Sequence, residues 1–229
     1  MSDNRRIPSQ RAAGSIRVVL VEDHPMYRES LANVIENVGG MNVCGEAATT
    51  VQALEVIRSS SPDVVLADIS LRGSDGLDLI KDLKAAGLDA PVLVLSMHEE
   101  SLYAERSLRA GARGYLTKYA SACEVLDAIS LVVAGGMVFS SEMTHRIIMK
   151  SINHSEPADN TGVESLTNRE LEIFRKLGEG CNVGDLAVTL GLAESTIHTY
   201  CGRIREKLGV RDSPSLYLCA SRWRLEQGM

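Results

Sequence analysis

Charged and hydroxyl side chains recur at the ends of four apolar runs in the first half of this 229-residue chain. Glu22 and Asp23 follow one run, and Asp68, Ser96 and Lys118 close or follow three others. Because the carboxyl ends of parallel strands face one crevice of an open sheet, we expect these side chains to lie together. Three carboxylates beside an amine and a hydroxyl would suit a divalent cation and a phosphoryl group.

The spacing of apolar residues predicts the elements that would position those side chains. Five apolar runs are continuous rather than alternating, which is typical of strands that are covered on both faces. They span 16–22, 41–47, 64–68, 92–96 and 114–117. The stretches between them have apolar residues at helical steps, as at Tyr27, Leu31 and Val34. This alternation predicts an α/β, doubly wound, five-stranded parallel sheet of the flavodoxin-like kind.

The composition is that of a globular protein, with 45% apolar and 24% charged residues. No apolar run approaches the ~20 residues of a membrane helix, so we expect no membrane partner. Five scattered cysteines without a Cys-x-x-Cys pair argue against a zinc site or a disulfide framework and favour the reducing cytoplasm. Residues 1–15 are polar and predict a disordered tail. The net charge is −6, and 16–135 contains seventeen acidic residues against ten basic ones.

A polar segment separates this region from the rest of the chain. We predict a linker over 137–163, because its second half is polar and contains Pro157 and Gly162. Apolar residues at helical spacing around Met143 predict a short helix at 140–151 within that linker.

The remainder of the chain is predicted to form four helices. Thr167 and Glu170 have the pattern of a capping box at the start of the first. A helix over Glu194–Leu208 follows a turn at Gly191, and this arrangement is the helix-turn-helix pattern. In the segment that begins with Arg203, six basic residues outnumber three acidic ones, which favours contact with a polyanion.

These motifs, in this order, resemble those of two-domain bacterial response regulators of the NarL/LuxR type, also called the NarL/FixJ family. The resemblance covers about 16–226 of the chain. It is carried by the stretches Val19–His24, Asp63–Asp68, Gly73–Gly76, Ser96–His98, Gly111–Lys118, Leu166–Glu170 and Lys207–Arg211. It implies a receiver domain over 16–136 and a LuxR-type four-helix DNA-binding domain over 164–229.

The resemblance identifies Asp68 as the residue that accepts a phosphoryl group from a sensor histidine kinase. A carboxylate can form an acyl phosphate if the developing charge is held in place. Lys118 would pair with the phosphoryl oxygens as a point charge, and Ser96 would hydrogen-bond another oxygen. Ser96 and Tyr115 resemble the paired switch residues of the family, so Tyr115 would turn inward as Ser96 moves.

The same resemblance implies Mg²⁺ as the cofactor. Asp23 and Asp68 would bind the ion, Glu22 would act through a water molecule, and the backbone carbonyl of Ser70 would be a further ligand. Three carboxylates packed without a cation would repel one another, so an ion is also expected on physical grounds. The chain departs from the family at Arg72, which follows a leucine where relatives often have Met-Pro.

In the predicted helix-turn-helix, the positions that face base edges in relatives fall on His198, Thr199 and Gly202. Thr199 could contact a base or a thymine methyl, whereas Gly202 has no side chain where relatives usually have a long one. The predicted contacts with double-stranded DNA are Thr196, His198, Thr199, Arg203, Lys207 and Arg211. Because this domain has no net charge, we expect a homodimer on paired half-sites after activation.

Two other functions stay open at this level. With Gly202 on its recognition helix, the chain could have lost specific DNA binding and act as a receiver-based protein-interaction module. A phosphatase with an aspartate nucleophile would need a substrate pocket, usually from an inserted cap, and the loops here are short. We therefore expect a phosphorylation-controlled transcriptional regulator in which phosphorylation releases the helical domain and promotes dimerisation and DNA binding. We expect no enzymatic activity beyond its own phosphorylation and slow dephosphorylation.

Overall fold

The computed structural model describes residues 15–71, 76–97, 100–152 and 162–226. The chain divides into two compact units, Met1–Phe139 and Ser140–Met229. The predicted tail before Ser15 and the departure at Arg72 lie outside the described residues. Within the described ranges, no helix has the length and apolar character needed to cross a membrane.

The first unit is a five-stranded parallel sheet in the order β2-β1-β3-β4-β5, which confirms the predicted fold class. The strands are β1 Arg17–Val21, β2 Asn42–Ala47, β3 Val64–Asp68, β4 Val92–Ser96 and β5 Gly114–Thr117. The helices are α1 Pro25–Asn33, continued by a π-helical turn at Val34–Val38, α2 Thr50–Ser60, α3 Gly76–Ala85, α4 Glu100–Ala110 and α5 Ala122–Val133.

Burial on both faces of the central strands explains their continuous apolar sequences. All five residues of β3 and all five of β4 are buried, so no position on either strand faces water. Leu20, Leu66 and Leu93 pack in one cluster with Ile35 and Ile129 from the covering helices. Burying each such side chain contributes about 1.5–3 kcal/mol, which makes this core the main stabilising feature of the unit.

The end of the first unit lies later in the chain than the sequence predicts. The backbone N–H of Tyr115 donates to the carbonyl of Val138 at 2.8 Å, and the N–H of Val138 donates to the carbonyl of Arg113 at 3.0 Å. Val138, which lies in the predicted linker 137–163, therefore pairs with the start of β5. The short helix expected at 140–151 is present as α6, Ser141–Ile152.

The second unit is helical, as predicted. After α6 it contains a 3₁₀ turn at Gly162–Ser165, then α7 Asn168–Gly178, α8 Val183–Leu190, α9 Glu194–Leu208 and α10 Ser213–Glu226. The predicted capping box of Thr167 and Glu170 forms at the start of α7. Gly191 ends α8 with φ 62°, a left-handed conformation that glycine adopts without a steric cost. The sharp turn between α8 and α9 follows from that residue.

Candidate functional site

The strand ends bring charged side chains together at one edge of the sheet. Val21 of β1 pairs with Ala67 of β3, so Glu22 and Asp68 follow on neighbouring strands. Lys118, just past β5, bonds to both: its Nζ lies 2.8 Å from Asp68 Oδ2 and also contacts Glu22 Oε2. We call Glu22, Asp23, Asp68 and Lys118 the acid pocket.

The acid pocket is buried and negatively charged. Glu22 and Asp68 are each 3% exposed, Asp23 is 9% exposed, and the side chain of Lys118 is 5% exposed. Burial by itself would lower the pKa of Lys118, but Asp68 and Glu22 outweigh that effect and raise its pKa above the ordinary value. Lys118 therefore stays charged, yet one ammonium against three carboxylates leaves an excess of negative charge. Buried negative charge of this kind favours the binding of a further cation.

The donor atoms of the acid pocket fit a hard divalent cation. Ligand atoms of Glu22, Asp23, His24 and Asp68 all lie within 4.8 Å of one another. Carboxylate oxygens are the ligands that Mg²⁺ prefers, and the ion would balance the excess negative charge. Ser70, the predicted backbone ligand, lies beside this group, because its N–H donates to Asp68 Oδ1 at 3.0 Å.

The start of α3 is held against Asp68 by a glycine. A Cβ on Gly76 would collide with the carbonyl oxygen of Asp68 and would lie 2.7 Å from the Cα of Ile69. Without a Cβ, the Gly76 N–H reaches the carbonyl of Ile69 at 2.9 Å. The start of α3 therefore lies against β3 through a contact that only glycine permits at this separation.

The two predicted switch residues are both buried. Ser96, the last residue of β4, is inaccessible to solvent, and its carbonyl accepts the backbone N–H of Lys118 at 2.8 Å. Tyr115 is 1% exposed on β5, where it pairs with Val94. The side chain of Tyr115 is therefore buried in this structure.

Three residues around the acid pocket were not predicted to contribute to it. Lys118 Nζ lies 4.7 Å from the centre of the Tyr27 ring, and burial raises the pKa of the Tyr27 phenol. His24 Nδ1 lies 2.9 Å from Asp23 Oδ1. Arg28 donates to the backbone carbonyl of Glu22 at 2.6 Å. All three follow the acidic pair within two turns of helix, and this proximity is the signal that could have identified them.

The helix α9 has one buried face and one that is accessible. Ile197, Cys201 and Ile204 are buried and form the inner face of the helix. The opposite side, which we call the outward face of α9, consists of Ser195, His198, Thr199, Gly202 and Arg203. All are exposed except Gly202, which is half-buried. The guanidinium carbon of Arg203 lies 5.9 Å from the centre of the Tyr200 ring, a cation–π arrangement that directs it along the helix surface.

Lys207, expected to contact a DNA phosphate, forms an ion pair inside the domain. Its Nζ lies 2.6 Å from Glu170 Oε2 and 3.3 Å from the carbonyl of Ser165. Glu170 is 3% exposed and also accepts the N–H of Thr167 at 2.7 Å. Burial would raise the pKa of Glu170, but the bonds from Lys207 and Thr167 outweigh burial and lower that pKa. This ion pair joins α9 to the start of α7, so Lys207 is better described as a structural residue.

The two remaining predicted DNA contacts lie at the ends of α9. Thr196 is half-buried in the first turn, and Arg211 is exposed just beyond Gly209, which ends the helix at φ 65°. An exposed guanidinium at this place is free to reach a phosphate, whereas Thr196 has less access to solvent.

The chain is similar in sequence to known regulators along nearly its full length. Residues 18–130 match the response regulator receiver domain family, and residues 164–220 match the luxR family of bacterial regulatory proteins. The response regulator GacA of Pseudomonas viridiflava is 33% identical over 208 residues, which cover 90% of this chain and 96% of the relative. The response regulator UvrY of Escherichia coli is 30% identical over 201 residues, which cover 88% and 91%.

A solved structure agrees with this assignment. The two-component response regulator of the LuxR family from Aurantimonas sp. SI85-9A1 is 32% identical and superposes with a TM-score of 0.55 over 61% of this chain and 99% of that one. The acid pocket at the strand ends, the helix-turn-helix in the second unit and these similarities lead to one assignment. The chain belongs to the family of two-component response regulators that combine a receiver domain with a LuxR-type DNA-binding domain.

Proposed function

We propose that the chain is a phosphorylation-controlled transcriptional regulator in which Asp68 accepts a phosphoryl group from a sensor histidine kinase. One observation carries the assignment of Asp68: its buried carboxylate lies 2.8 Å from the ammonium of Lys118, beside two further carboxylates. A nucleophilic oxygen, a fixed positive charge and a cation-binding set of oxygens are the groups that phosphoryl transfer to a carboxylate needs.

In the proposed transfer, an oxygen of Asp68 attacks the phosphorus of a phosphohistidine. The P–O bond of an acyl phosphate forms as the P–N bond of the donor breaks, and the imidazole leaves. The ammonium of Lys118 then moves from the Asp68 carboxylate to the phosphoryl group on Asp68 and pairs with its oxygens. The hydroxyl of Ser96 hydrogen-bonds another of those oxygens. Bound through Glu22, Asp23 and Asp68, Mg²⁺ would supply neutralisation of the negative charge that collects in the acid pocket.

The proposed output is DNA binding by the outward face of α9. His198 and Thr199 would face base edges, and Arg203 and Arg211 would contact phosphates. Lys207 is left out because its ammonium is bound to Glu170. Since basic and acidic residues balance in this domain, useful affinity requires two copies on paired half-sites, so activation would produce a homodimer. The sensor histidine kinase and the DNA would both meet the protein in the cytoplasm, where its five free cysteines stay reduced.

Fluorescence anisotropy of the full chain tests this function. The probe is a fragment recovered from a random duplex pool by selection with the full chain, measured with and without beryllofluoride and Mg²⁺. We expect tighter binding and a shift from monomer to dimer in sedimentation when the mimic is present, together with a steep dependence on salt. Binding that is absent or insensitive to salt in both states would contradict the proposal.

A protein-interaction module is the second candidate, and the outward face of α9 favours it in one respect. The hydroxyl of Thr199 already donates to the carbonyl of Ser195 at 2.9 Å, and Gly202 has no side chain, so few polar groups are available for bases. A module of this kind would dimerise with the phosphoryl mimic yet retain no preference among DNA sequences. The same selection separates the two functions, because only the regulator enriches a sequence.

A further inference from the structure

Thr199 lies at the centre of the outward face of α9. Each residue of a helix advances by about 100°, so Thr199, two positions after Ile197 and two before Cys201, points away from both. Ile197 and Cys201 are buried and Thr199 is exposed. If α9 enters a groove of DNA, as the proposed function requires, Thr199 lies on the side of the helix opposite its buried residues.

The hydroxyl proton of Thr199 is not available to a base. It is donated within the helix to the carbonyl of Ser195, at 2.9 Å. A threonine bonded in this way still has a methyl group on an exposed side chain. The major groove presents one apolar group, the C5 methyl of thymine, and a threonine methyl is a suitable partner for it.

Gly202 leaves an open place beside Thr199. Glycine is the poorest helix former after proline, and Gly202 lies in the helix interior without a left-handed backbone to explain it. Among the described residues, a Cβ on Gly202 would meet nothing within 4 Å. Gly178 differs, since a Cβ there would lie 2.6 Å from the carbonyl oxygen of Ala220. Packing against Ala220 therefore explains Gly178, whereas no contact within the described part of the domain explains Gly202.

We propose that the methyl group of Thr199 reads a thymine methyl in the major groove, and that Gly202 lets the backbone of α9 lie close enough to the bases for that contact. The inference deepens the proposed function and rests on it. In this arrangement α9 recognises an apolar group of the DNA by direct contact. A long polar side chain at position 202 would hold the helix away from the base edges and prevent that contact.

Replacement of thymine by deoxyuridine tests the contact, because it removes only the methyl group. The full chain, activated with beryllofluoride and Mg²⁺, first selects a site from a random duplex pool. Each thymine of that site is then replaced in turn. We expect one position in each half-site at which the replacement weakens binding by about four-fold, the effect of burying one methyl group.

Two variants separate a methyl contact from a hydroxyl contact. Thr199→Val keeps a methyl group and loses the hydroxyl, so it should retain the deoxyuridine effect. Thr199→Ser keeps the hydroxyl and loses the methyl group, so it should bind thymine and deoxyuridine sites equally. The opposite pattern, or a wild type that is indifferent to every replacement, would overturn the inference while leaving DNA binding intact. A wild type that selects no sequence would contradict the proposed function as well.

Gly202→Ala provides an independent test of the close approach. The added methyl group has space within the domain and favours the helix, so unfolding followed by Trp223 fluorescence should occur at higher denaturant concentration. The same methyl group would intrude between α9 and the bases, so affinity for the selected site should fall by at least about five-fold, more than the loss of a single methyl contact. Equal or tighter binding by this more stable variant would overturn the close approach.

Discussion

The acid pocket and the outward face of α9 differ in where their polar groups find partners. In the acid pocket, Lys118 bonds to Asp68 and Glu22, and all three side chains are at most 5% exposed. On the outward face of α9, His198 and Arg203 are exposed to solvent. A buried charge must be paired within the protein, so the structure itself reveals the partners. An exposed charged side chain is solvated by water and needs no partner within the protein. The structure of the protein alone therefore does not show which ligand it binds.

Lys207 shows what this difference teaches. Its place on α9 near Arg203 and Arg211 suggested a DNA contact, but its ammonium lies 2.6 Å from the buried Glu170. The carboxylate of Glu170 is 3% exposed, so it must be paired with a cation inside the domain. DNA phosphates, in contrast, can be contacted by other basic residues. The demand of a buried carboxylate therefore decided the role of a lysine that the sequence placed on the binding surface. Five predictions contrast the two regions.

Asp68→Asn should have the largest effect, because it removes the nucleophilic oxygen of the acid pocket. We expect complete loss of the hydroxylamine-sensitive label that radioactive acetyl phosphate leaves on the wild type. Asp82→Asn, an exposed position on α3 with the same change of charge, should label normally. Full labelling of Asp68→Asn would place the acceptor elsewhere.

Lys118→Met should destabilise the first unit and make it depend on Mg²⁺. Removing one partner of a buried ion pair costs about 3 kcal/mol, since Glu22 and Asp68 then lose their ammonium partner beside a third carboxylate, Asp23. A divalent cation would replace the missing charge, so urea unfolding followed by circular dichroism should show a larger stabilisation by Mg²⁺ than in the wild type. Lys81→Met, which breaks an exposed pair with Asp78, should change stability by at most about 1 kcal/mol. An unchanged response to Mg²⁺ would mean that Lys118 and the ion do not share ligands.

Lys207→Met should lower the stability of the second unit by about 2 kcal/mol, less than a fully buried pair because Lys207 is 34% exposed. Trp223, the single tryptophan, lies 5.7 Å from Phe174 and reports unfolding of this unit through its fluorescence. The salt dependence of DNA binding should be unchanged. If stability is unaffected and the salt slope falls by about one, Lys207 contacts a phosphate after all.

Arg203→Ala should show the reverse pattern. We expect affinity for all duplexes to fall by about ten-fold and the salt slope to fall by about one, because one phosphate contact is lost. Unfolding followed by Trp223 should change little, since the Arg203 side chain is exposed. Arg222→Ala on α10, where the side chain is 81% exposed, is the control for charge. A loss confined to one sequence would show that Arg203 reads bases.

The smallest effect should be the dependence of the second unit on pH. The pKa of Glu170 is lowered on folding from its ordinary value near 4.5, so its carboxylate stabilises the folded state above that pH. This contribution is lost as the pH falls through the lower pKa of the folded state. Glu170→Gln should therefore flatten the decline in stability below about pH 4.5, measured by Trp223 fluorescence, and Glu206→Gln on the exposed side of α9 is the control. An equally steep decline in Glu170→Gln would assign the acid sensitivity to other carboxylates.

Features that depend on neighbouring residues were predictable from the sequence. The capping box at Thr167 formed as expected, because it needs only a glutamate three residues later. The strands were predictable because burial on both faces requires continuous apolar residues. The convergence of Glu22, Asp68 and Lys118 could be expected as well, since all strands of a parallel sheet end at the same edge.

Features that depend on distant residues were not predictable in this way. Glu170 and Lys207 are 37 residues apart in the chain, and no local pattern marks them as partners. The same holds for Tyr27 over Lys118 and for the pairing of Val138 with β5. In each case several residues of the right type were available, and packing selected one of them.

The sequence by itself determined the order of strands and helices along the chain, because periodicity and capping act locally. It also determined the set of groups at the strand ends, because the ends of parallel strands meet at one edge by a general rule of topology. Only the tertiary structure decided which charged group faces which partner. That choice depends on burial: a carboxylate such as Glu170, removed from water, must bind the cation that the fold brings within reach.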